Sequence, residues 1–320
     1  MGKRYLITGA TGLIGKALVK DLLLEPGNVV FALVRDLEKA KKHLGEESNR
    51  LRFIEGDVRT KNVEGIEVDY IIHTASPTAS KYFVESPADT ILSIVEGTKN
   101  MLEFARSQNL KRFIYLSTME VYGAPETDEI IDEMHSTNLN TMEVRSCYPE
   151  SKRLCENMCV AYMKQYGIPV NVLRLTQTFG PGVQLNDGRV FAYFAKCVLD
   201  KTDIVLKTKG ETKRSYLHID DAISAIKYVM EYANAGEVYN VANENTYCSI
   251  FEMASMVAEK IAQGEIKVVI EEQPNAASGF APTLRMNLDT TKLKKLGWNP
   301  QYDLYDMFED MIEDLKKNAN

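Results

Sequence analysis

Tyr148 and Lys152 stand four residues apart at the head of an apolar-periodic run that ends near Tyr166. That spacing predicts a helix with both side chains on one face. A free tyrosine titrates near ~10 and is a poor base at neutral pH. An ammonium one turn away favours the phenolate by Coulomb attraction. Such a pair could take a proton from a substrate hydroxyl. On a solvated helix the same spacing also arises by chance, so the elements around it decide its meaning.

Those elements alternate. Residues 4–8 read as a short buried strand, followed by Thr8-Gly9-Ala10-Thr11-Gly12-Leu13-Ile14-Gly15 and a helix to about Leu24. Pro26-Gly27-Asn28 turns the chain into a strand over 29–34. A glycine loop between a first strand and a helix suits a dinucleotide. The glycines allow close backbone approach, and the helix N-terminus offers free N–H groups to a pyrophosphate. Further strands are expected over 51–54, 70–73, 112–116 and 170–175, with helices over about 87–108 and from Tyr148. Polar segments follow several of these strands: Glu55-Gly56-Asp57-Val58, Thr74-Ala75-Ser76-Pro77, Ser117-Thr118-Met119-Glu120 and Thr176-Gln177-Thr178-Phe179. Ligands of open α/β sheets bind beyond the carboxyl ends of the strands.

The expected fold is therefore α/β. A Rossmann-type, doubly wound parallel sheet over 1–175 precedes a smaller α/β substrate domain over 176–320, whose chain returns to the main sheet. In that second part, helices are expected near 190–200, 220–233, 249–262 and from about Leu304, and strands near 204–207, 238–241 and 266–270.

The chain has 320 residues, 45% apolar and 26% charged, as a soluble globular protein does. A net charge of -7 argues against nucleic acid or an anionic membrane as partner. There is no secretory signal pattern and no apolar run long enough to span a bilayer, so a cytoplasmic location is expected. Cysteines 147, 155, 159, 197 and 248 make no metal or disulfide pattern; they are expected to be reduced thiols, and no metal is expected.

Taken together, Gly-x-x-Gly-x-x-Gly at 9–15, Asp57-Val58, Ser117-Thr118 before Val121-Tyr122-Gly123, and Tyr148 with Lys152 resemble an extended short-chain dehydrogenase/reductase. The resemblance is to the nucleotide-sugar epimerase/dehydratase group and runs through Arg285 and Leu296-Gly297-Trp298. It implies that Gly9, Thr11, Gly12, Leu13, Ile14 and Gly15 hold the cofactor, with the glycines at its pyrophosphate. Asp57 and Val58 would contact the adenine, and Thr74, Ala75 and Ser76 the ribose side. Thr118 would hydrogen-bond the reacting sugar oxygen, Tyr148 would be the base, and Lys152 would hold the nicotinamide ribose. Arg214 and Arg285 match positions that grip a substrate diphosphate, for which a guanidinium fork is well shaped. The group also implies a homodimer formed through the helix over 87–108 and the Tyr148 helix.

Within the group the closest branch resembles UDP-glucuronate decarboxylase, through His73-Thr74-Ala75-Ser76-Pro77, Ser117 to Gly123, Arg145-Ser146-Cys147-Tyr148 and Asn186-Asp187-Gly188-Arg189. That branch implies substrate contacts at Arg145, Gln177, Asn186 and Arg189, and a catalytic carboxylate at Glu120. Some positions depart from the pattern. Met119 stands where 4,6-dehydratases carry an acid, Gln177 replaces an Asn, and Ser151 replaces a Gly. Arg35 follows the second strand, where NAD-selective members place an acid. An acid there meets a ribose hydroxyl and an Arg accommodates a 2′-phosphate, so Arg35 leans toward NADP while Asp36 keeps NAD open.

The reading that follows is an enzyme acting on a nucleotide-diphospho-sugar. It oxidises the sugar transiently at C4 with a tightly bound, recycled NAD or NADP, and decarboxylation is the outcome favoured. The alternatives are 4-epimerisation, 4,6-dehydration, and a cofactor-sensing protein without turnover.

Overall fold

The computed structural model describes residues 2–60, 63–136, 139–272 and 283–319. Two compact units emerge, each made of three chain segments. The first holds residues 1–121, 139–174 and 223–239; the second holds 122–138, 175–222 and 240–320.

The first unit carries β1 (Arg4–Thr8), α1 (Leu13–Leu24), β2 (Val29–Val34), α2 (Leu37–Leu44), β3 (Leu51–Glu55), β4 (Tyr70–His73), α3 (Ser80–Glu85), α4 (Pro87–Arg106) and β5 (Arg112–Thr118). A 3-10 turn, Met119–Tyr122, follows β5, and the two-residue β6 (Ile130–Ile131) belongs to the second unit. The chain then returns through α5 (Cys147–Tyr166) and β7 (Val170–Leu175). The remaining elements are β8 (Gln177–Phe179), α6 (Val190–Asp200), β9 (Ile204–Leu206), β10 (Lys213–His218), α7 (Ile219–Tyr232), β11 (Val238–Val241), β12 (Asn243–Ser249), α8 (Ile250–Met256), β13 (Val268–Ile270), β14 (Arg285–Leu288), α9 (Thr291–Lys294) and α10 (Leu304–Ala319).

The main sheet has the order β11-β7-β5-β4-β1-β2-β3. Its pairs β1–β2, β2–β3, β1–β4 and β4–β5 are parallel. The chain leaves β1 first toward β2 and β3, then crosses to β4 on the other side. The strand order therefore reverses between β1 and β4, and at such a switch point a crevice opens beyond the carboxyl ends. Leu6, Ile71, Phe113, Val170 and Val172 form one core cluster with Ile94, Met101 and Leu102 of α4 and Cys155 and Cys159 of α5. By strand alternation Ile7, Ile72 and Ile114 project to the other face, and they too are fully buried. Burial on both faces explains why these strands read as continuous apolar runs.

In the second unit β10 is central. It pairs antiparallel with β12 and parallel with β8 and β14, and β14 pairs with β6. Several elements differ from the sequence expectation. The strands β6, β8, β10, β12 and β14 and the helices α2, α3 and α9 lie outside the sequence expectation. β10 reads Lys-Arg-Ser-Tyr-Leu-His and β12 Asn-Glu-Asn-Thr-Tyr-Cys-Ser, too polar to signal burial. The helix expected over 249–262 is α8 followed by a π-helical turn at Val257–Ile261. Among the described residues no helix is long and apolar enough to cross a membrane, and no cluster of side chains could hold a metal ion. All five cysteines are free.

Candidate functional site

The β1–α1 loop is shaped by its glycines. Gly9 has φ +64°, and a Cβ there would lie 2.7 Å from Thr74 Oγ1. A Cβ on Gly15 would lie 2.3 Å from the Gly9 carbonyl oxygen, so α1 must begin in contact with the loop. α1 carries no side-chain cap and no acid in its first turn. Its N–H groups and positive dipole end are thus left for an anion. This cradle fits a dinucleotide pyrophosphate.

The loop is tied down from β4. Thr98 Oγ1 donates to the Ile94 carbonyl at 2.7 Å, so it must accept from His73 Nε2 at 3.2 Å. His73 Nδ1 then accepts from the Thr8 hydroxyl at 2.8 Å. Thr8 Oγ1 also accepts from the Ala75 N–H at 3.1 Å, and Thr74 Oγ1 donates to the Thr8 carbonyl at 2.6 Å. Every polar atom of this lock is satisfied only while His73 is neutral. Burial, helped by the charge of Lys152, pushes the imidazole down to about 3. The residues at 73–75 thus join the two strands that flank the switch point.

Farther along the strand ends, Asp57 accepts from the Arg59 N–H at 2.9 Å and from its Nε and Nη2 at 3.1 and 3.2 Å. Burial alone would raise this carboxyl; the Arg59 contacts outweigh it and hold the group below its usual range. Val58 sits under Gly97, where a Cβ would approach Val58 Cγ1 to 2.9 Å. Arg35 is exposed just after β2. Asp36 caps α2, accepting from the Lys39 N–H at 2.9 Å.

Tyr148 lies in the first turn of α5 and Lys152 one turn on; both are buried. Lys152 Nζ donates to the Leu116 carbonyl at 2.8 Å and sits 6.0 Å from the Tyr148 ring centre. Burial lowers its ammonium to about 8, so at neutral pH it keeps most of its charge. Thr118 ends β5, and its Oγ1 accepts from the Glu120 N–H at 3.3 Å. Glu120, in the 3-10 turn, pairs with Arg145 at 2.8 Å. Met119 beside it is buried.

Three features escaped the sequence reading. Ser117 Oγ donates to Glu156 at 2.5 Å, and Glu156 takes both Nε and Nη2 of Arg174, the latter at 2.6 Å. This pins β5, α5 and β7 together behind Thr118. Arg59 is the second, signalled only by its place two residues after Asp57. Phe83 is the third: its ring stacks on Tyr148 at 4.2 Å.

In the second unit, Arg214 and Arg285 stand on the paired strands β10 and β14. Arg285 is ion-paired with Asp128, which also accepts from the Tyr247 hydroxyl at 2.6 Å. Arg214 Nε is buried with no hydrogen-bond acceptor among the described residues. Arg189 forks onto Asp187 at 2.9 and 2.6 Å and lies over the Phe191 ring at 4.7 Å. Gln177 is half-buried on β8, and Asn186 is exposed in the loop before α6.

Residues 5–242 match the family described as the NAD dependent epimerase/dehydratase family. A UDP-glucuronic acid decarboxylase of Xenopus tropicalis is 32% identical over 98% of this chain and 72% of its own length. One from Arabidopsis thaliana is 33% identical over 98% of this chain and 89% of its own. Among solved structures, a dTDP-glucose 4,6-dehydratase of Streptomyces venezuelae superposes with a TM-score of 0.81 at 24% identity, covering 99% of this chain and 98% of that one. A UDP-glucuronic acid 4-epimerase of Bacillus cereus does so with a TM-score of 0.81 at 22% identity, covering 98% and 99%. At that identity the two superpositions speak for the fold alone. With the glycine cradle, the Tyr148/Lys152 pair and a match over most of its length, the chain belongs to the NAD dependent epimerase/dehydratase family of nucleotide-sugar enzymes.

Proposed function

We propose that the chain decarboxylates a nucleotide-diphospho-uronic acid, UDP-glucuronate being the first substrate to test. The observation that carries this reading is the Glu120–Arg145 ion pair, which sets a carboxylate and a guanidinium two residues from Thr118 and three from Tyr148. Near full-length similarity to named decarboxylases supports it.

Tyr148, with Lys152 charged beside it, takes the proton of the C4 hydroxyl, and Thr118 hydrogen-bonds the same oxygen. A nicotinamide held by residues 9–15, 57–58 and 74–76 would supply a reversible oxidation at C4. Once C4 is a ketone, the C6 carboxylate belongs to a β-keto acid. The C5–C6 bond breaks, carbon dioxide leaves, and the electron pair stays on the enolate spanning C5, C4 and oxygen. Arg145 holds the carboxylate beforehand, and Glu120 passes a proton taken from solvent to C5 after carbon dioxide has left. As the oxidation at C4 is reversed, Tyr148 returns its proton to the C4 oxygen. Arg214 and Arg285 grip the diphosphate, and the unmatched N–H of Arg214 supports an anionic ligand there. Gln177, Asn186 and Arg189 complete the substrate contacts.

For the cofactor, the exposed Arg35 and the commitment of Asp36 to the α2 cap support NADP over NAD. The chain forms a homodimer in the cytoplasm on this reading. The test is mass spectrometry of UDP-glucuronate after incubation with the purified protein and cofactor. Loss of carbon dioxide supports the proposal. An unchanged mass with C4 inverted would instead assign 4-epimerisation, and loss of water from a hexose would assign dehydration.

A further inference from the structure

Phe83 carries none of the roles assigned above. It lies on the short helix α3 and is 1% exposed. Its ring is nearly parallel to that of Tyr148, with an interplanar angle of 10° and centres 4.2 Å apart. The Arg145 guanidinium lies over the same Phe83 ring at 5.0 Å. The Phe83 carbonyl accepts from the Cys147 thiol at 3.4 Å, one residue before Tyr148. α3 thus holds the first turn of α5 twice, once through a ring and once through a backbone oxygen.

A phenol that must take a proton across a hydrogen bond of about 2.6–3.2 Å needs its ring plane fixed. Lys152 cannot fix it alone: its Nζ sits 6.0 Å from the ring centre and is bonded to the Leu116 carbonyl. A close parallel stack restricts the ring's tilt, and a cation over the partner ring strengthens the assembly by a cation–π attraction. The same Arg145 also pairs with Glu120. One guanidinium therefore touches both the carboxylate assigned to the C5 chemistry and the ring that packs the base.

We propose that Phe83 is a positioning residue for Tyr148 and that it couples the base to the occupancy of Arg145. When an anionic C6 group draws Arg145 toward itself, the Phe83 ring and the Tyr148 ring respond. This inference rests on Tyr148 as base and Arg145 as carboxylate partner.

The test uses Phe83→Leu and Phe83→Met, each made in the full chain. Met fills the space flexibly if Leu proves too unstable. The first readout is independent of turnover. 3-Fluorotyrosine is placed at position 148 and its fluorine resonance followed by NMR, without substrate and with UDP-glucuronate or UDP-glucose. In the parent chain a single resonance is expected that shifts with the uronic acid and not with the neutral sugar. In the Phe83 variants the resonance should broaden or split and lose that selective response. The second readout is kinetic. A displacement of the base on the scale of an ångström costs up to about 10²-fold, so kcat should fall by roughly 10–10²-fold while KM changes little. The acidic limb of the pH profile should also move. A folded variant with unchanged resonance, kcat and pH limb makes Phe83 a core residue only and overturns the inference. If the parent chain leaves UDP-glucuronate unreacted yet shows the selective shift, the decarboxylase reading fails and the coupling stands. If the parent resonance ignores both sugars at saturation, the coupling is refuted.

Discussion

At the scale of single residues, the arrangement turns on how firmly two charged groups are held. The Glu120–Arg145 pair is about one-third exposed on each side, 31% and 32%. An ion pair at that exposure stabilises the fold by at most ~1 kcal/mol. On the proposed function, a substrate carboxylate replaces Glu120 on Arg145 at little cost and leaves Glu120 to face C5. We predict that Glu120→Gln slows the C5 step while C4 oxidation persists, so that a 4-keto sugar or reduced cofactor accumulates in single-turnover absorbance and mass measurements. Arg145→Ala should raise KM for UDP-glucuronate and barely alter binding of UDP-glucose. A Glu120→Gln enzyme with normal kcat and no intermediate would remove Glu120 from the chemistry. His73 makes a second prediction. Its pKa falls from an ordinary ~6.5 to about 3 because burial disfavours the cation. Between those values the unfolded chain binds a proton that the folded chain does not, so stability falls as pH drops below ~6.5. At pH 5 the loss from this one group is ~2 kcal/mol. Urea unfolding at pH 7 and pH 5 checks the sign, and His73→Asn should flatten the difference. A steeper pH dependence in that variant would place the acid sensitivity elsewhere.

At the scale of elements, the proposed cofactor preference rests on the junction between β2 and α2. Asp36 is bound to the Lys39 N–H as the α2 cap, whereas Arg35 is exposed at the strand end and its charge is felt at Asp57. Replacing Arg35 by Asp should weaken NADP binding relative to NAD, measured by calorimetry with each cofactor. Equal effects on both would make Arg35 a surface charge only. The same junction shows what sequence makes legible. β1, β2 and β4 were readable because strands buried on both faces need continuous apolar runs, and the Tyr148/Lys152 spacing was readable because it is local to one helix. β10 was not, since Lys213, Arg214 and Ser215 give no apolar alternation, although β8, β12 and β14 all pair with it. The site was legible only where its parts are close in sequence. Glu120 with Arg145, Ser117 with Glu156 and Arg174, and Phe83 with Tyr148 are brought together by the sheet and by α5, and nothing in local spacing announces them.

At the scale of the whole molecule, the question is what covers the outer surface of α4 and α5. By residue type alone, Ile91, Ile94, Val95, Met101, Met158, Ala161 and Tyr162 would exceed what sheet packing needs. Burial corrects part of that list. Ile94 and Met101 are inside the core, and Val95, Met158 and Tyr162 pack against it. These residues face the sheet because each helix presents one stripe to it. What remains outside is different: Ile91 and Leu92 on α4 and Leu154 and Val160 on α5 are 42–49% exposed. Single exposed apolar residues are ordinary, but four on two helices that pack against each other motivate a search for a partner. A second copy of the chain could cover it, helix pair against helix pair, through a self-complementary two-fold contact. A stable contact of this kind buries roughly 1,200–2,000 Å² in total. We predict a dimer by sedimentation at micromolar concentration. Leu154→Glu with Val160→Glu should yield a monomer, because two charges would be desolvated at the centre of the contact. Leu24→Glu, at a side chain 78% exposed at the end of α1, should leave the dimer intact. A parent chain that sediments as a monomer, or a double variant that stays dimeric, would show that α4 and α5 do not form the contact.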